Sequence, residues 1–140
     1  MTNIIIVTHG DFGAYLVEAA EMIIGVQKEG VELVPISQRI PVEKASERLS
    51  AVIEKFAEDG AIIFTDILGG TPTNISIPKV QGRENMAVIS GVNLNMLLSA
   101  FSYRGKLSHP ELVKKVLADG IKSICDVSGL FAKAQAREKV

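Results

Sequence analysis

The sequence is poor in the residues that metal and redox sites are made from. It has one cysteine, Cys125, two histidines, His9 and His109, and no tryptophan among 140 residues. A lone cysteine cannot close an internal disulfide, and two isolated histidines give no zinc-binding spacing. Cys125 stands in Ile124-Cys125-Asp126-Val127, a setting that predicts a packed thiol and not a reactive one. Charge of one sign is missing too: 15 basic against 16 acidic side chains leave no positive field to hold nucleic acid or an anionic membrane surface. Long hydrophobic runs are absent. Ile4-Ile5-Ile6-Val7 and Ala61-Ile62-Ile63-Phe64 are far shorter than the roughly 18 residues of a membrane span. The start, Met1-Thr2-Asn3, has no basic region and no cleavage pattern after it. The expectation is a cytoplasmic protein with no metal, no cofactor and no membrane insertion, of a length that suits one domain.

What is present is an alternation of short apolar runs with amphipathic ones. Asn3 to Thr8 and Ala61 to Thr65 are continuously apolar and rich in β-branched residues, as strands covered on both faces are. Val31 to Ile36 and Met86 to Ser90 read as two further strands. Between them lie helical patterns. Leu16, Val17, Ala20, Ile23 and Ile24 recur at spacings of three and four, with Asp11 as a candidate N-cap. Val42, Ala45, Leu49, Val52, Ile53 and Phe56 form the clearest stripe, entered at Pro41. Thr71-Pro72 predicts an N-cap and first turn, with Pro78 expected to stop or kink that helix. Asn93 to Tyr103 and Pro110 to about Ile124 complete the set, the last starting at Ser108 or His109, where His109 is expected to be solvated. Ser123 to Val127 can form a short edge strand. Ala132 to Val140 favours helix but is polar and expected to fray. These patterns predict an α/β fold: a single domain over residues 1–130 with a polar tail at 131–140. Its sheet is central and mostly parallel, of order 2-1-3-4 with a possible fifth edge strand, and helices cover both faces.

In open sheets of this kind reacting groups gather outside the carboxyl ends of the strands, where strand order reverses. His9 closes the first strand and Asp66 the third, and neighbouring strands lie about 4.8 Å apart. Asp66 can therefore accept from one ring nitrogen of His9, set the tautomer and leave the other nitrogen outward as a nucleophile. Either residue alone is an ordinary structural one; together with Gly69-Gly70-Thr71-Pro72 they suit a phosphoryl group. Two helix N-termini point N–H groups at the same edge. Gly10 and Gly70 allow close backbone approach, and Thr71 brings a hydroxyl. No GxxxxGK[ST] sequence is present, so the phosphate is expected to arrive on a partner and not on a nucleotide held by a P-loop.

Thr8-His9-Gly10, Asp66-Ile67-Leu68-Gly69-Gly70-Thr71-Pro72 and Ser90-Gly91-Val92-Asn93-Leu94-Asn95-Met96-Leu97 together resemble the enzyme IIA component of the mannose family of the bacterial sugar phosphotransferase system. The resemblance implies a cytoplasmic homodimer that relays phosphate from the carrier HPr, through His9, to a histidine of enzyme IIB, for sugar phosphorylation coupled to uptake. It makes His9 the phosphoacceptor and Asp66 its orienting partner, with Gly10, Gly70 and Thr71 supporting the phosphoryl group. Asn95 stands where the family usually has proline, Pro78 is unusual in its helix, and the polar tail is longer. Two alternatives keep the same histidine chemistry: a stand-alone regulatory IIA protein, and the phosphotransfer subunit of a dihydroxyacetone kinase. A flavin or receiver domain on a flavodoxin-like fold is disfavoured, because the first strand ends in His-Gly and not in a hydroxyl-rich loop or an acidic pair.

Overall fold

The computed structural model describes residues 1–138. Four parallel strands, β1 (Asn3–His9), β2 (Val31–Ile36), β3 (Ala61–Thr65) and β4 (Met86–Ile89), form one sheet of order β2-β1-β3-β4. Each strand is followed by a helix: α1 (Phe12–Ile24), α2 (Val42–Lys55), α3 (Thr71–Val80) and α4 (Leu94–Tyr103), with α5 (His109–Lys122) and α6 (Val127–Glu138) closing the chain. The strand order is the expected one. No fifth strand joins the sheet among the described residues: Ser123 to Asp126 link α5 to α6, and Val127 already begins a helix.

The continuous apolar runs have the physical cause that their composition suggests. Ile4 and Ile6 point into a core with Val17 and Ala20 of α1, Leu97 of α4 and Leu112 of α5. Ile5 and Val7 point into the opposite core with Val34, Ile63 and the Ala45, Leu49, Val52 and Ile53 stripe of α2. With both faces covered, β1 and β3 bury every side chain up to His9 and have no polar-facing positions to alternate. Pro35 is tolerated because β2 is an edge strand. Ile4 N–H donates to Gly30 O and Gly10 N–H to Ile36 O, so by the alternation of the parallel ladder the nitrogen at position 35 faces outward.

Several boundaries differ from expectation for local reasons. Asp11 stands at the N-cap position of α1 as expected, but its side chain makes no cap bond; the buried Thr8 hydroxyl accepts from Gly13 N–H at 2.8 Å in its place. Thr71 lies inside α3, one residue past its N-cap Gly70, which moves Pro72 to the second position. Pro78 neither stops nor shortens α3, which runs on to Val80. The Cα of a Cβ-bearing residue at 13 would set that Cβ 2.7 Å from Ile6, so Gly13 is what lets α1 lie close on β1. Ile23 and Ile24 are exposed, since only Val17 and Ala20 of the expected stripe reach full burial. Cys125 is exposed, because the apolar residues around it lie in the α5–α6 link and not in a core. His109 is half-buried, its Nε2 3.1 Å from Ala61 O, a tether between α5 and the start of β3. α6 is helical up to Glu138 without burying any residue, and the last two residues of the expected fraying tail lie outside those described.

The end of the sheet away from His9 is tied by Arg104. This buried side chain, 4 % exposed, donates to Gly30 O, Glu29 O and Gln27 Oε1 at 3.0, 2.8 and 3.0 Å, while its own carbonyl accepts from Thr2 N–H. Burial lowers the Arg104 pKa, and the nearby Glu29 charge works the other way.

Candidate phosphoryl-transfer site

β1 and β3 run side by side with Val7 opposite Thr65, so the residues that leave the two strands, His9 and Asp66, meet at the carboxyl edge. On this side of β1 the odd-numbered N–H groups donate to β3, beginning with Asn3 N–H to Gly60 O at 3.0 Å. The rung at His9 has no strand carbonyl to use, because β3 has ended. The Asp66 carboxylate takes that place: its Oδ2 accepts from His9 N–H at 2.8 Å. The same oxygen lies 2.7 Å from His9 Nδ1, and Oδ1 accepts from Ile67 N–H at 3.0 Å.

This arrangement settles the tautomer. A carboxylate oxygen can only accept, so Nδ1 carries the proton and the lone pair of the neutral ring is on Nε2. Nε2 has no hydrogen-bond partner among the described residues, and the His9 side chain is 52 % exposed. Asp66 is 9 % exposed. Burial raises its pKa, but the backbone N–H of His9, the ring of His9 and the N–H of Ile67 together outweigh that penalty and hold the carboxyl below its ordinary value. A fixed, ionised carboxylate behind an open imidazole nitrogen is an arrangement in which that nitrogen can act as a nucleophile.

Gly10, Gly70 and Thr71 follow β1 and β3 in the chain at the same end of the sheet as His9. Gly10 turns the chain out of β1 at φ +53°, a conformation that favours glycine, and its amide donates to Ile36 O at 2.8 Å. Gly70 is needed for space: a Cβ there would lie 3.1 Å from His9 Cε1 and 2.9 Å from Ile67 Cγ1. The amino end of α3 thus begins against the imidazole, with Thr71 as its first residue. In the two loops that leave β1 and β3, and in the first turn of α1, Phe12, Tyr15, Ile67 and Leu68 are exposed. No group of three metal-ligating side chains gathers among the described residues.

One set of residues escaped the sequence reading. Thr65 and Thr73, both buried, stand 2.7 Å apart hydroxyl to hydroxyl, and the Thr73 hydroxyl donates to Ile67 O at 2.6 Å. The available signal was weak: a hydroxyl residue as the last member of an apolar strand, and another in the first turn of the helix that follows.

Comparison with known proteins gives the family. A family model described as "PTS system fructose IIA component" matches residues 3–117. The chain is 31 % identical over 123 residues to the PTS system mannose-specific EIIAB component of Escherichia coli (strain K12), a match over 86 % of this chain and 38 % of that protein. It therefore spans about two fifths of the length of that relative. Against the PTS system sorbose-specific EIIA component of Lacticaseibacillus casei it is 26 % identical over 115 residues, covering 82 % of this chain and 83 % of that one. The solved structure of the phosphotransferase system component EIIA from Streptococcus agalactiae superposes with a TM-score of 0.84 at 30 % identity, covering 92 % of this chain and 99 % of that chain. With a four-stranded 2-1-3-4 sheet, a histidine and aspartate paired at its carboxyl edge, and a family match over most of its length, the chain belongs to the mannose-type EIIA family of the sugar phosphotransferase system.

Proposed function

We propose that this protein is a cytoplasmic phosphoryl relay. Phospho-HPr donates: the Nε2 lone pair of His9 attacks phosphorus, an N–P bond forms, and the N–P bond to the donor histidine breaks with its electron pair returning to the donor ring. Positive charge grows on the His9 imidazole as the bond forms, and Asp66 faces the Nδ1 proton that shares it. Gly10, Gly70 and Thr71 line the phosphoryl position, where the amino ends of α1 and α3 favour the group's negative charge. In the second step a histidine of enzyme IIB attacks the same phosphorus and His9 leaves neutral. The observation that carries this reading is the 2.7 Å contact that protonates Nδ1 and leaves Nε2 open to solvent.

The exposed apolar side chains Phe12 and Tyr15 after β1 and Ile67 and Leu68 after β3 support contact with protein partners on this side of the sheet. A homodimer belongs to the same reading, with the exposed Leu130 and Phe131 of α6 and the exposed Ile121 and Ile124 at the end of α5 as apolar surface for a second copy. The relay domain is drawn over residues 1–130 with a polar tail at 131–140, a boundary that falls within α6. In such a relay the sugar never touches this protein.

The test is phosphorylation by enzyme I, HPr and phosphoenolpyruvate, followed by intact mass and acid lability. The wild type should gain one acid-labile phosphate, and folded His9→Ala none. A folded wild type that stays unmodified beside active HPr refutes the reading.

A further inference from the structure

Ile67 is the residue through which the β3–α3 loop holds Asp66, and it is held at both ends. Its N–H donates to Asp66 Oδ1 at 3.0 Å, and its carbonyl accepts from the Thr73 hydroxyl at 2.6 Å. The rest of this loop has little to fix it. Ile67 is 54 % and Leu68 82 % exposed, Gly69 has φ +86°, and the bond from Asn74 Nδ2 to Gly69 O is long, at 3.4 Å. The Thr73 contact is the buried anchor.

The proton positions in this chain are determined. A carbonyl cannot donate, so the single Thr73 proton goes to Ile67 O. Thr65, 2.7 Å away and fully buried, must then be the donor to Thr73. The result is a one-way series, Thr65 hydroxyl to Thr73 hydroxyl to Ile67 carbonyl, running from the core of the sheet to the loop that carries the carboxylate. Thr65 is itself fixed, since its carbonyl accepts from Val92 N–H at 3.0 Å.

We propose that Thr73 is a positioning residue for His9: its hydroxyl, oriented by Thr65, fixes the Ile67 peptide and thereby the Asp66 carboxylate that selects the nucleophilic tautomer. The rate consequence rests on the relay reading above, whereas the tautomer consequence does not. Three variants separate positioning from simple stability. Thr73→Val removes the hydroxyl at nearly constant shape and leaves the Thr65 proton buried without an acceptor. Thr73→Ser keeps the hydroxyl. Thr65→Val combined with Thr73→Val removes both hydroxyls, so no buried donor is stranded, but the Ile67 carbonyl stays unanchored.

The readouts are the ring ¹⁵N shifts of His9 at neutral pH, the rate of phosphorylation by phospho-HPr, and the thermal midpoint. In Thr73→Val the ring nitrogens should move toward the average of the two tautomers, with phosphorylation slowed about 10-fold, less than the roughly 100-fold of a full 1 Å misplacement. Thr73→Ser should restore both. The double variant should regain thermal stability while keeping the averaged shifts and the slow rate. Wild-type shifts in the double variant overturn the proposal, as does a rate that recovers together with stability. Should the wild type take no phosphate at all, the relay reading fails, and the ring shifts of the double variant and of Thr73→Ser still decide the role of Thr73.

Discussion

Asp66→Asn is the sharpest test of how the site works, because the substitution keeps shape and removes one capacity. The carboxylate accepts three N–H groups, from the His9 backbone, the His9 ring and Ile67. An amide of the same size has one acceptor and one donor end. With its oxygen toward His9, its NH₂ opposes the Ile67 N–H; turned over, the NH₂ faces His9 and favours the proton on Nε2, which removes the nucleophile. Neither orientation offers the negative charge. Two unit charges about 4 Å apart interact by about 4 kcal/mol at an effective dielectric of 20 and about 1 kcal/mol in water. With Asp66 mostly buried and the ring half in solvent, about 2–4 kcal/mol of transition-state stabilisation should go, a fall of roughly 30- to 1000-fold in rate. The loss should appear in a rapid-quench time course with phospho-HPr, while the circular dichroism spectrum stays that of the wild type. A rate within threefold of wild type would refute the assignment of Asp66 as the group that orients and stabilises His9.

Three further outcomes are expected. The stability that Asp66 contributes follows from its lowered folded-state pKa: it is fully present above the unfolded value near 3.8 and is lost as pH falls through the lower folded value. In urea unfolding, the gap between wild type and Asp66→Asn should therefore be widest above about pH 5 and narrow progressively as pH falls below about 4; a gap independent of pH would contradict the bonded carboxylate. Gly70→Ala should leave the fold intact but slow phosphorylation about 10-fold by pressing on His9 Cε1, since the backbone there is ordinary and only space is at issue. Arg104→Ala should cost about 2–4 kcal/mol in denaturant unfolding through the loss of its three bonds to Gln27, Glu29 and Gly30. The His9 ring shifts should not move in that variant, because Arg104 acts at the far end of the sheet.

The sheet order and the His9–Asp66 pair were readable because each rests on a strong local signal. β1 and β3 are buried on both faces, so their sequences are apolar without interruption, and the next residue in each is the first that solvent can reach. α2 was equally clear, since it covers one face only. The missed features are those in which several residues compete for one local task. Asp11 and Thr8 both offer an oxygen to the first turn of α1, and Thr8 wins because β1 delivers it, already buried, beneath Gly13. Thr71 has the chemistry of an N-cap, but Gly70 is the residue with extended φ and ψ, −87° and 171°. Ser123 to Val127 has strand-like composition, yet β4 gains no neighbour there and the chain enters α6 instead. The Thr65–Thr73–Ile67 series depends on distances between elements that spacing along the chain does not encode.

Pro35 has a consequence for the company this sheet can keep. β2 is one of two edges, and an edge strand with a full row of free N–H groups is a template on which another chain can add a strand and aggregate. Because the nitrogen at position 35 faces outward and carries no hydrogen, that row is broken near the end closest to His9. The interruption costs the protein no internal bond. It makes β2 a poor seed for intermolecular strand pairing, and at the other edge the first outward donor of β4, Met86 N–H, is likewise withheld by its bond to Arg83 O at 3.2 Å.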